Sequence, residues 1–152
     1  MPMQNNQAFL DLELCDVAVS TQSDIVQTDI IDLTVTKTAT CGYALVGGTI
    51  CYTATIENNS DVDFISGDDE MGCITFRDPL APNLQYVTGT FTYQIGSGVE
   101  VPATPNINAD NVLTYNCLEI PANTTAVVKF CVKVLSMPTT GGGDDNNGDD
   151  DE

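Results

Sequence analysis

Between residues 29 and 135, apolar and polar positions alternate in short, β-branched runs separated by turn residues. That spacing is the one expected of a sandwich or barrel, and helical periodicity is essentially absent. The runs predict strands over 32–39, 49–57, 73–77, 84–95, 112–117 and 124–135. Gly47-Gly48, Asn58-Asn59-Ser60, Gly96-Ser97-Gly98 and Pro121-Ala122-Asn123 punctuate them as turns. Asp78-Pro79 is expected to break the third strand on entering a loop.

Strand parity then assigns faces. Ile50, Tyr52, Ala54 and Ile56 share one side of the second run, and Val128, Phe130, Val132 and Val134 share one side of the last, so these are candidate core positions. Tyr86, Phe91, Tyr93 and Tyr115 also alternate mainly as core. Cys51 and Cys131 fall on the outer faces, with Lys129 and Lys133 beside Cys131, where a thiol can reach a neighbouring subunit.

The ends differ from this body. Residues 9–20 (FLDLELCDVAVS) read as one further strand, tethered by a polar stretch over 21–29. As one strand it places Leu10, Leu12 and Leu14 on one face and Cys15, Val17 and Val19 on the other, so both faces call for burial and the segment needs a partner sheet. After Gly141-Gly142-Gly143, the run DDNNGDDDE has nothing to bury and repels itself, which predicts a solvated tail. The expected layout is an extension with linker over 1–28, a sandwich over 29–136 and an acidic tail over 137–152.

Composition sharpens this picture. A chain of 152 residues with 42% hydrophobic content supports one folded domain with tails. The formal net charge is −18. Tail residues Asp144, Asp145, Asp149, Asp150, Asp151 and Glu152 supply only part of it. Such a field repels phosphate backbones and anionic headgroups, so nucleic acid is excluded as a partner. No run reaches the roughly twenty apolar residues that a membrane-spanning helix requires, and no membrane insertion is expected. The opening MPMQNNQAF lacks the basic and apolar regions of a secretory leader. An extracellular cell or spore surface is the expected location, reached without an ordinary signal peptide in this chain. The six cysteines (15, 41, 51, 73, 117, 131) include no C-x-x-C pair, so disulfides outside a reducing cytosol fit them better than a zinc or redox site. Their connectivity is open.

Histidine is absent, which removes the usual general base near neutral pH, and no nucleophile elbow or phosphate loop is present. The chain is therefore not expected to be an enzyme. Asp61, Asp63, Asp68, Asp69 and Glu70 cluster in one predicted loop. They match no EF-hand spacing, so no cofactor is expected and calcium stays a weak candidate. Asn58-Asn59-Ser60 and Asn123-Thr124-Thr125 have sequon form but sit in predicted turns and are read as turn chemistry. Lys37 shares parity with Leu33 and Val35 and should point inward near the core edge, where an ammonium needs a partner.

The chain resembles the bacterial surface repeat domain known as domain of unknown function eleven. The residues that carry the resemblance are Asp32-Leu33-Thr34-Val35-Thr36-Lys37-Thr38, the run Gly48 to Asn58 (GTICYTATIEN), Thr75-Phe76-Arg77-Asp78-Pro79-Leu80, Leu84-Gln85-Tyr86-Val87 and Ile120-Pro121-Ala122-Asn123-Thr124-Thr125. It covers about residues 29–135. The resemblance implies an immunoglobulin-like antiparallel β-sandwich, here with an extra N-terminal strand. Family members usually stand in tandem arrays on cell-wall proteins, and some clostridial spore appendages carry the domain. A single copy with six cysteines and an added strand is closer to the appendage setting. Gram-positive surface sandwiches of this kind often join a first-strand lysine to Asn or Asp by an isopeptide bond. Lys37 with Asn116 or Asp78 is the candidate here, and an ordinary ion pair the alternative.

Two functional readings follow. In the first, the chain is the structural subunit of an extracellular or spore-surface filament. Its N-terminal segment, with Leu10, Leu12, Leu14, Val17 and Val19, adds to the next copy by donor-strand exchange, and disulfides lock the homopolymer. Burial of each such side chain contributes about 1.5 to 3 kcal/mol before ordering costs. An added strand pairing within its own domain is equally compatible with the pattern. In the second reading, the chain is a monomeric adhesive module that binds a ligand or cation.

Overall fold

The computed structural model describes residues 4–7, 9–14, 17–22, 26–28, 30–42, 44–67 and 72–138. Those residues form strands, turns and loops with no helix, and the strands of the body stack as two antiparallel sheets in a sandwich-like arrangement. The larger sheet contains β5 (Leu33–Ala39), β6 (Thr49–Asn58), β8 (Leu84–Tyr86), β9 (Thr92–Ile95), β10 (Val101–Pro102) and β13 (Thr124–Val134). Its order is β10-β9-β13-β6-β5, with β8 also on β13. The smaller sheet is β11 (Asn106–Ile107), β12 (Val112–Leu118) and β7 (Ile74–Pro79), in the order β11-β12-β7.

β13 organises the larger sheet. Its alternating sequence lets one face enter the core: Ala126, Val128, Phe130 and Val132 are fully buried. One edge pairs with β6 from Thr124↔Asn58 to Lys133↔Thr49. The other edge is shared by β9, at Ala126 to Lys129, and β8, at Val132 to Val134. The expected single strand over 84–95 is therefore two strands. Between them Gly89 adopts a φ of 82°, open to glycine at little steric cost, and the Thr90 hydroxyl donates to Val87 O. The Thr90 oxygen in turn accepts the Cys131 amide, which keeps β13 satisfied where no strand lies beside it. This kink drops Phe91 into the core, where its ring meets Phe76, Tyr115 and Phe130.

The third strand does end at Asp78-Pro79, but two residues later than expected, because both belong to β7 and Pro79 pairs with Val112. Proline is tolerated there because β7 is the outermost strand of its sheet. At one corner the buried Asn58 side chain donates to Val62 O (2.9 Å), Pro121 O (3.0 Å) and Ile120 O (3.3 Å) and accepts the Ser60 amide (3.0 Å). Asn58 is thus a structural clasp, and Asn123, at φ 51°, is turn chemistry as expected.

The N-terminal segment is organised differently from the single extra strand its sequence suggested. β2 (Phe9–Leu14) and β3 (Val17–Gln22) pair antiparallel, and β1 (Gln4–Asn6) pairs with β4 (Val26–Thr28). The antiparallel β2–β3 pair is referred to below as the hairpin. In its register Leu10, Leu12 and Leu14 stand opposite Thr21, Val19 and Val17. Directly opposed positions share a face, so the five apolar positions line one side and not two. Among the described residues these strands pair with each other, and none pairs with a strand of the sandwich. The acidic tail and Cys15 lie outside the described residues.

Candidate docking groove

Among the described residues, β5 is the outer strand of the larger sheet and pairs only with β6, and β7 is the outer strand of the smaller sheet and pairs only with β12. On β5, Val35 stands opposite Ile56 and Lys37 opposite Ala54. Ile56 and Ala54 are buried core residues, so Val35 and Lys37 belong to the inner face too. Yet Val35 is 66% exposed and Leu33 40% exposed. An inward-facing edge residue stays wet only where the sheets are open at their margin.

The opening is a groove of about 260 Å³ with Leu33, Val35 and Ile56 on one wall, Ile74 and Phe76 on the other, and Arg77 at the rim. Its lining is chiefly apolar. An apolar cavity of about 150 Å³ already holds a benzene-sized group, so this one accommodates large aliphatic side chains.

One end of the groove is closed by the answer to Lys37. Its ammonium lies 2.6 Å from Asp78 Oδ2 and 4.2 Å from the centre of the Tyr52 ring, with Phe130 beyond. Asp78 is nearly buried, whereas Lys37 keeps part of its side chain in water. Of the two candidate partners, Asp78 is therefore beside Lys37, and Asn116 is exposed with no contact to it among the described residues. An inward-pointing charge also blunts edge pairing. It leaves the Leu33–Val35 half of β5 as the open part.

The cysteines divide into pairs within the chain. Cys51 and Cys131 do sit on outer faces, but they are directly opposed across β6 and β13 and are bonded to each other. Cys73 is bonded to Cys117, which occupies an irregularity of β12 at φ 64°. These four thiols are consequently not free to reach a neighbour, contrary to the expectation for the outward pair. Cys41 is exposed and unbonded. The two disulfides fit a non-reducing environment, and no described helix is long and apolar enough to cross a membrane.

Among the candidate cation ligands, Asp63 accepts the Ala122 amide (2.7 Å) and Asp61 accepts the Asn123 side chain (2.9 Å), which holds the Asp61 carboxyl below its ordinary value. Nearby, the Ser66 hydroxyl and amide both donate to Glu119 and lower its carboxyl likewise. These acids clamp neighbouring loops, and no group of three metal-ligating side chains occurs among the described residues. Asp68, Asp69 and Glu70 lie outside those residues.

No protein-family model, curated protein or solved structure matches the chain.

Proposed function

We propose that the chain is a structural, non-catalytic subunit of an extracellular or spore-surface filament, built by adding the N-terminal segment of one copy to the sandwich of the next. The observation that carries this reading is the pairing of two incomplete surfaces in one molecule. An open sandwich margin exposes inward-facing Leu33 and Val35, and among the described residues the N-terminal segment pairs with no strand of the sandwich. A donor on one side and an acceptor elsewhere form a head-to-tail contact, which does not close on itself and so propagates. The sequence resemblance to a surface repeat domain with immunoglobulin-like architecture supports the same reading. With Cys51, Cys131, Cys73 and Cys117 consumed within the chain, Cys41 and Cys15 are the thiols assigned to a bond between subunits.

Electron microscopy of the oxidised protein, beside a sample lacking residues 1–24, tests this. Filaments from the full chain and none from the truncation are expected. Discrete monomers in both would instead favour a binding module.

A further inference from the structure

We propose that the groove between β5 and β7 is the acceptor, and that it receives the β2–β3 hairpin of a second copy with the hairpin intact. The inference rests on the assembly reading above and specifies its contact.

Geometry favours the whole hairpin over a lone strand. Pulling β2 out would give up its pairing with β3 from Phe9↔Gln22 to Leu14↔Val17. Keeping it leaves β2 with one edge unpaired among the described residues, and that edge can add to the outer edge of β5 by main-chain hydrogen bonds. The register of β2 on β3 assigns Leu10, Leu12, Leu14, Val17 and Val19 to a single face. Added beside β5, that face continues the inner face of the larger sheet and covers Leu33, Val35, Ile74 and Phe76. Asp11 and Glu13 alternate with these positions along β2, so the same addition assigns them to the outer face of the extended sheet, away from the apolar groove.

The test uses the full-length oxidised chain and follows assembly by sedimentation velocity over a concentration series. Val35→Arg puts a charge in the groove at a side chain that is already largely exposed, so the fold should tolerate it, as an unchanged urea midpoint would verify. Leu12→Arg puts the same charge on the hairpin. Val99→Arg, at a residue 81% exposed on a distant loop, is the control. Burying an unpaired charge should weaken assembly at least about a hundredfold in both Val35→Arg and Leu12→Arg, with Val99→Arg unchanged. If wild type assembles and Val35→Arg assembles equally well, the groove is wrong and the filament reading survives. If Val35→Arg abolishes assembly but Leu12→Arg does not, the occupant is not the hairpin and the inference falls. A wild type that stays monomeric throughout overturns both.

Discussion

Lys37 Nζ lies 2.6 Å from Asp78 Oδ2, an ion pair that ties the outermost strand of one sheet to the outermost strand of the other. The two partners are unequally placed. The Asp78 side chain is 12% exposed and that of Lys37 39%, so losing the lysine strands a carboxylate away from water, whereas losing the aspartate frees an ammonium to turn outward. Lys37→Ala is therefore expected to cost about 2 to 4 kcal/mol and Asp78→Ala about 1 to 2 kcal/mol. Urea unfolding of both variants gives the order, and the reverse order would mean the lysine's ring contacts dominate. Intact mass adds a covalent test: hydrogens lost to disulfides are expected, whereas a deficit of one further water would reveal an amide between Lys37 and Asp78.

Asn58 is 1% exposed and donates to three carbonyls. Asn58→Ala should cost about 2 to 4 kcal/mol, because those acceptors stay buried without a donor. Asn58→Asp should be worse, since it points an acceptor at acceptors. Thermal unfolding of the two variants decides, and an Asp variant as stable as wild type would show that the corner opens to water.

How far the sequence carried is clearest strand by strand. β5, β6 and β13 were legible because each alternates without interruption, and the inward side of each was right. The break between β8 and β9 was not legible, because apolar alternation continues on both sides of a turn held by Thr90 and Gly89. The hairpin did leave a signal: apolar parity changes between Leu14 and Val17, and the antiparallel register of β2 on β3 is what assigns both sets to one face. Cys51 and Cys131 were correctly outward, but their direct opposition depends on the register of two strands far apart in the chain. The groove was illegible, since Val35 has the pattern of a core residue and only the open margin between β5 and β7 leaves it wet.

Both disulfides close long stretches of chain, with separations of 80 and 44 residues. Loop-closure entropy sets ceilings of about 4.5 and 4 kcal/mol for them, and measured values run about 2 to 5 kcal/mol. Cys51→Ala/Cys131→Ala and Cys73→Ala/Cys117→Ala should each lower the urea midpoint clearly, and a reductant should lower that of wild type by more than either pair alone. No change on reduction would show that the sheets hold without them.

Three exposed carboxyls are held below their ordinary values: Glu119 by Ser66, Glu100 by the Thr92 hydroxyl and then Lys129, and Asp61 by Asn123. A carboxyl lowered in the folded state adds stability that is complete above its unfolded value, here 4.5 for Glu and 3.8 for Asp, and is lost as pH falls through the folded one. The urea midpoint should be level from pH 7 to about 5 and fall below that, less steeply in Glu119→Gln. Protonation also relieves the repulsion of a chain at net −18, which acts in the opposite sense. A midpoint that rises toward pH 3 would mean that repulsion outweighs these hydrogen bonds.

The place of β13 at the centre of its sheet has a consequence for biosynthesis. It joins β6 on one side to β8 and β9 on the other, yet it is the last of the described strands in chain order. A polypeptide emerging from the ribosome can form the β5–β6 pair early, but its main core has no middle until every other strand of the sandwich has been translated. Such long-range pairing makes the body fold late and as one unit. Until then a nascent chain holds its β-branched strands exposed, and the like charges along it keep neighbouring unfinished copies apart.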